Sequence, residues 1–152
     1  MSKAPVDVED VARTLGLAIV RGSLGREVSG ILISRGRVST ICLEETDSEN
    51  RQRFTIAHEV GHYILGHHFA DGSVHVDKIS MRNARSSEGS DPLEIEANQF
   101  ASTLLMPEGL VRERMGSLAI LAIEDVVTKL AKTFKVSQEA MAFRLATLGY
   151  AT

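Results

Sequence analysis

His58, Glu59 and His62 stand in the order H-E-x-x-H within RQRFTIAHEVGHYILGHHFA, residues 51–70. Two imidazoles four residues apart on a helix share a face, with Cβ atoms about 5–6 Å apart. At that separation both reach one metal ion at ordinary zinc–nitrogen distances of about 2.0–2.1 Å. Glu59, the next residue after the first histidine, would sit beside such an ion rather than on it. There it can take a proton from an attacking water and later pass it to a leaving amine. A shuffled chain of this composition contains the same order roughly one time in a hundred, so the reading needs a third ligand elsewhere in the chain.

Catalytic zinc takes three protein ligands and keeps one position open. LEIEANQFASTLLMP, residues 93–107, supplies Glu94 and Glu96. About 200° separates them around a helix, so only one can face the metal. Glu94 is the better candidate and Glu96 the alternative; without a metal role both are plain solvated glutamates. Asn98 shares the Glu94 face one turn later and could hold the outer nitrogen of a ligating histidine. Ala97 and Ala101 are small enough for close packing against the His58–His62 helix, and Gly61 lets another element approach that helix. His67, His68, His75 and Tyr63 are candidates for stabilising an oxyanion, or else surface residues. Arg82 and Arg85 are candidate substrate contacts, or else solvated.

These residues need elements to carry them. Val8, Val11, Ala12 and Leu15 follow a helical spacing that Gly16 stops. LAIVRG, VSGILISRG and RVSTICLEE read as short strands joined by glycine-containing turns, a meander. Ser48 or Asn50 caps the next helix. In that helix Ala57, Val60, Gly61, Ile64 and Leu65 form an apolar stripe, with both histidines beside it. Residues 66–91 are a long polar connection, in which SVHVDKI is a candidate strand and RNARSSEGSDP a candidate lid. Asp91-Pro92 opens a second strong helix, with proline at its first turn, and Met106-Pro107 closes it. Residues 118–149 carry two or three amphipathic helices, with Ser137 a good cap. The expectation is a single α+β domain over residues 1–152.

Composition narrows the function classes. At 152 residues a single domain buries roughly 70% of the surface its unfolded chain exposes. A net charge of −3 gives no sign of a dedicated nucleic-acid or membrane-surface binder. Cys42 is the one cysteine, which excludes an internal disulfide and suits a reducing cytoplasm. Its neighbours Ile41 and Leu43 suggest a buried structural thiol. MSKAPVDVED lacks the pattern of a signal peptide, and no apolar run nears the ~18 residues of a membrane span. A cytoplasmic protein is expected.

RFTIAHEVGHYILGHH followed by SSEGSDPLEIEANQFASTLLMP resembles the ImmA/IrrE family of bacterial metallopeptidases. Its two motifs, a helix like RFTxAHExGHxxLH and another like ExEANxFAxxLLMP, occur here in order and nearly complete. VSGILI and the tail LAKTFKVSQEAMAFRLATLG also look like the family's flanks, so the resemblance covers most of the chain. It implies zinc held by His58, His62 and Glu94, with Glu59 as general base. The fold it implies is a small zincin-like α+β domain: a short antiparallel sheet, the H-E-x-x-H helix, a second ligand-bearing helix and a helical tail. The resemblance further implies a helix-turn-helix transcriptional repressor as substrate or partner, in a stress response, a mobile element or a toxin–antitoxin-like pair. A zinc-stabilised module that sequesters its partner without cutting it is the alternative. Many relatives carry an extra helix-turn-helix or sensory domain; this chain has room for neither, so it is expected to rely on a separate partner for targeting.

The tail itself, VVTKLAKTFKVSQEAMAFRLATLG, has the outline of a helix-turn-helix. A DNA-reading helix would present base-contacting residues at its start, where Ser137, Gln138 and Glu139 stand, and Arg144 is its one basic residue. Lys129, Lys132 and Lys135 lie nearby. An acidic chain with so little basic clustering is expected to use this tail for structure or partner docking, not for DNA.

Overall fold

The computed structural model describes residues 3–25, 27–36, 38–66, 74–78 and 91–150. In chain order these form α1 (Val8–Thr14), β1 (Leu17–Gly22), β2 (Val28–Arg35), β3 (Val38–Glu44), α2 (Glu49–Ile64), β4 (Val74–Lys78), α3 (Pro92–Leu105), α4 (Glu108–Ser117), α5 (Ile123–Phe134) and α6 (Gln138–Thr147). The small α+β domain anticipated from the sequence is what forms.

Helix boundaries follow local chemistry. Asp7, Ser48, Asp91 and Ser137 each accept a backbone N–H of the first helical turn, from Asp10, Arg51, Leu93 and Ala140 respectively. Gly16 follows α1 at φ 84° and Gly66 follows α2 at φ 70°, left-handed positions that glycine takes without strain. The candidate strand SVHVDKI appears as β4. Helix α4 was not anticipated: it lacks a side-chain cap, and only Val111 is fully buried, so its apolar period is too thin to read. The candidate lid RNARSSEGSDP, residues 82–92, lies outside the described residues except for Asp91 and Pro92, which cap and open α3.

One expectation is corrected. The four strands run in the order β1-β3-β2-β4. β2 is antiparallel to both neighbours, with Leu32 opposite Ile41 on β3 and opposite His75 on β4. β1, however, lies parallel to β3, with Ile19 opposite Ile41. The sheet is therefore mixed, not a meander and not antiparallel throughout. Between Gly22, which pairs with Glu44 at the end of β3, and Val28, which opens β2, the chain passes from one side of β3 to the other, a span of two strand spacings, about 10 Å. Glu44 at that end holds the crossing. Its carboxylate accepts the Leu24 N–H at 2.8 Å, the Thr46 N–H at 2.9 Å and the Thr46 hydroxyl at 2.7 Å.

Leu32, Ile41 and Leu43 of the sheet are buried with Val8 and Ala12 of α1 and Ile56, Ala57 and Val60 of α2. The same cluster continues through Ala101 and Leu105 into Leu130, Phe134, Met141 and Leu145, so the tail helices share the core with the sheet. Cys42 points away from Ile41 and Leu43, as alternation on a strand requires. It is half-buried rather than in the core, and burial pushes its thiol above the ordinary range, which keeps it protonated and unreactive.

Candidate metal centre

The two strongest sequence motifs meet where α2 packs against α3. Their approach depends on small residues. Ala97 and Ala101 are fully buried, and a Cβ placed on Gly61 would stand 3.1 Å from Phe100 Cδ1 and 3.3 Å from the Ala97 carbonyl oxygen. The expectation for Gly61 thus holds, and the two helix backbones come as close as glycine permits. The apolar stripe of α2 is shorter than the periodicity suggested. Ala57, Val60 and Gly61 are buried, but Ile64 and Leu65 are 48% and 41% exposed at the helix end.

His58, Glu59 and His62 are each 0% exposed and Glu94 is 1% exposed. His58 Nε2 lies 2.8 Å from Glu94 Oε2, and His62 Nε2 lies 3.2 Å from Glu94 Oε1. The two imidazole Nε2 atoms are 3.1 Å apart. Glu59 Oε1 stands off at 3.9 Å from His58 Nε2. The His58 ring is edge-on to His62, centroids 4.7 Å apart, and stacks on Phe54 at 6.4 Å. Phe54 drew no notice in the sequence, although its place one turn before His58 was the available signal.

This donor set fits a metal ion. Ligands at 2.0–2.1 Å in a tetrahedron stand about 3.3–3.4 Å apart; the contacts here, 2.8 and 3.2 Å to the two Glu94 oxygens and 3.1 Å between the imidazoles, are each shorter, so the groups part by a few tenths of an ångström to admit an ion. The potential ligand atoms of His58, His62 and Glu94 all lie within 4.8 Å of one another, two imidazole nitrogens and one carboxylate oxygen in a buried place. Collecting such groups away from water is costly unless something satisfies them together. A model of the family described as Peptidase_M78, IrrE N-terminal-like domain, matches residues 12–146. The chain belongs to this metallopeptidase family. No curated protein matches it.

Within this M78 chain, Glu94 rather than Glu96 completes the triad, because α3 turns the former toward α2 and leaves Glu96 exposed. Asn98, one turn beyond Glu94, is largely buried on the same helix. Tyr63 is 46% exposed and does not join the described cluster. His67, His68, Arg82 and Arg85 lie outside the described residues, as does the side chain of His75, whose backbone is in β4. No described helix is long and apolar enough to cross a membrane.

Proposed function

We propose that this M78 chain is a zinc-dependent endopeptidase that cuts a helix-turn-helix transcriptional repressor and so relieves repression, in a stress response, a mobile element or a toxin–antitoxin-like pair. The observation that carries the reading is the convergence of His58, His62 and Glu94 from two helices, with Glu59 buried beside them. His58, His62 and Glu94 would hold the zinc. When bound, the ion polarises a carbonyl and makes water more acidic at its open position. Glu59 then serves as general base through a carboxylate oxygen, accepting the proton of the attacking water and delivering it to the departing amine. Phe54 and the close α2–α3 contact hold the His58 ring in its orientation. The resemblance of both motifs to the ImmA/IrrE family supports a repressor as the substrate class.

The test is to incubate the zinc-loaded protein with a helix-turn-helix repressor encoded beside its gene and to read fragments by intact-mass spectrometry. Defined fragments from the wild type and none from Glu59→Gln, with zinc retained by both, is the expected result. Loss of zinc along with activity in Glu59→Gln would refute the role given to that residue. A second reading has one observation in its favour. His58, Glu59, His62 and Glu94 are all shut off from solvent, whereas an attacking water and a peptide need access to the metal's open position. In that case the protein sequesters its partner, and tight binding without fragments from either form would establish it.

A further inference from the structure

Both ligand-bearing helices are gripped by the helical tail, each through one arginine. Arg53 of α2 sends Nη1 to the Val6 carbonyl at 2.8 Å, Nη2 to the Phe134 carbonyl at 3.3 Å and Nε to the Lys135 carbonyl at 3.3 Å. Beside it, Asn50 Nδ2 donates to the Val136 carbonyl at 3.3 Å, and Lys135 Nζ donates to Glu49 Oε1 at 3.0 Å. Three residues in the first turns of α2 thus hold the three residues that end α5 and lead into α6. On the other side, Arg144 of α6 donates its Nε to the carbonyl of Met106 at 3.0 Å, the residue that closes α3.

The chemistry of these contacts is that of placement. Burial lowers the pKa of both guanidinium groups, and in these contacts each meets backbone carbonyl oxygens, not a carboxylate. A guanidinium has its donors in a rigid fork, so it fixes where a carbonyl sits relative to its own helix. Lys135 is held at φ 54°, ψ 55°, a left-handed cap position usually given to glycine. The carbonyls of Phe134 and of Lys135 itself both accept from Arg53 there. Arg53 stands five residues before His58, and Gly61, three residues after it, is seated on Phe100 and Ala97. The first metal ligand therefore lies between a tether to the tail and a contact with α3.

We propose that the α5–turn–α6 unit is a brace that sets the position of α2 relative to α3, with Arg53 and Arg144 as positioning residues for the His58–His62–Glu94 metal site. The proposal rests on that site binding a metal. A metal site needs its ligands held within about 0.5 Å of their working places, so losing either tether loosens the site while the core still folds. The helix-turn-helix outline then marks a structural clamp on the metal-binding helices.

Cobalt(II), whose visible d–d bands report ligand geometry, tests this in the full-length chain. Wild type, Arg53→Gln, Arg53→Lys, Arg144→Gln and the double glutamine variant are titrated, with the thermal midpoint of each metal-free protein measured alongside. Arg112→Gln is the control. Arg112 bonds Glu108, the Tyr150 hydroxyl and the Leu148 carbonyl and, among the described contacts, touches neither α2 nor α3. Each brace variant is expected to lose about tenfold or more in cobalt affinity and to shift the d–d bands, the double variant most. Arg53→Lys, which restores at most part of the fork, falls between. Arg112→Gln should lower the midpoint and leave spectrum and affinity alone. Folded variants with the wild-type spectrum and affinity would overturn the proposal, as would an affinity loss matched by the control. Should Arg53→Gln fail to fold, Arg53→Lys and Arg144→Gln decide by the same criterion. A wild type that takes up no cobalt would refute the metal site itself; uptake by wild type with unchanged variants would refute the brace alone.

Discussion

At the scale of the residue, His58, His62 and Glu94 trade hydration for one another. Their donor atoms stand 2.8–3.2 Å apart with almost no solvent exposure. A cation placed among them offsets a cost that the metal-free chain must carry. Metal should therefore stabilise the fold. At a free concentration a thousand times the dissociation constant, the gain is about 4 kcal/mol. Adding a strong chelator is expected to lower the thermal midpoint of the wild type, whereas His58→Ala should unfold at the same temperature with and without the chelator. Glu44 acts by a different route. The N–H of Leu24, and after it the hydroxyl and N–H of Thr46, stabilise its charged form and hold its carboxyl below the ordinary range. A lowered native pKa means that the charged form contributes stability at neutral pH, and that this is lost as pH falls through the native value. The stability gap between wild type and Glu44→Gln, measured by urea unfolding, should thus be widest near pH 7 and shrink below about pH 4, the ordinary range of a glutamate.

At the scale of the element, the decisive contact is α2 on α3. Gly61 permits it, since even a methyl group there would meet Phe100 and the Ala97 carbonyl at 3.1–3.3 Å. Gly61→Val adds two further carbons and a stiff side chain to that seam. It is expected to lower stability by about 2 kcal/mol and to weaken metal binding, read from denaturant unfolding and a metal-competition assay. Unchanged metal affinity in a folded Gly61→Val protein would show that the seam does not set the site's geometry. The braces act at this scale too. A hydrogen bond to a charged donor contributes about 1.5–3 kcal/mol, so the two from Arg53 to the Phe134 and Lys135 carbonyls are enough to hold the start of α2 against the end of α5, while the third ties α2 to Val6.

For the whole molecule, the tail shares one core with the sheet. Phe134, fully buried, belongs to the same cluster as Ile41 and Ile56. Phe134→Ala should cost about 3–5 kcal/mol and keep a single unfolding transition by circular dichroism and fluorescence. A separate early transition for the tail would contradict the shared core. The exposed face of α6 carries Gln138, Glu139, Phe143, Ala146 and Thr147, without a cation, while Arg144 bonds to Met106. With a net charge of −3 and no basic face on that helix, the chain should show no measurable DNA binding at low salt, where phosphate contacts are strongest.

How much of this was written in the sequence differs by feature. The H-E-x-x-H spacing, the second helix with Glu94, and the caps at Ser48, Asp91 and Ser137 are local properties. A helix places residues three and four apart on one face whatever surrounds it, and a cap acts within one turn. Other features are set by contacts between segments distant in sequence. β1 alternates in the same way whether its neighbour is parallel or antiparallel, so its pairing is settled only when β3 takes its place between β1 and β2 in the sheet. Arg53 lay inside the recognised motif, yet its partners are 81 and 82 residues away, at the last residue of α5 and the cap that follows it, and 47 away at Val6. The sequence by itself determined which residues could bind a metal. The tertiary structure alone decided how α2 and α3 are held together around it, because the carbonyls that Arg53 and Arg144 grip are brought within reach only when the shared core closes.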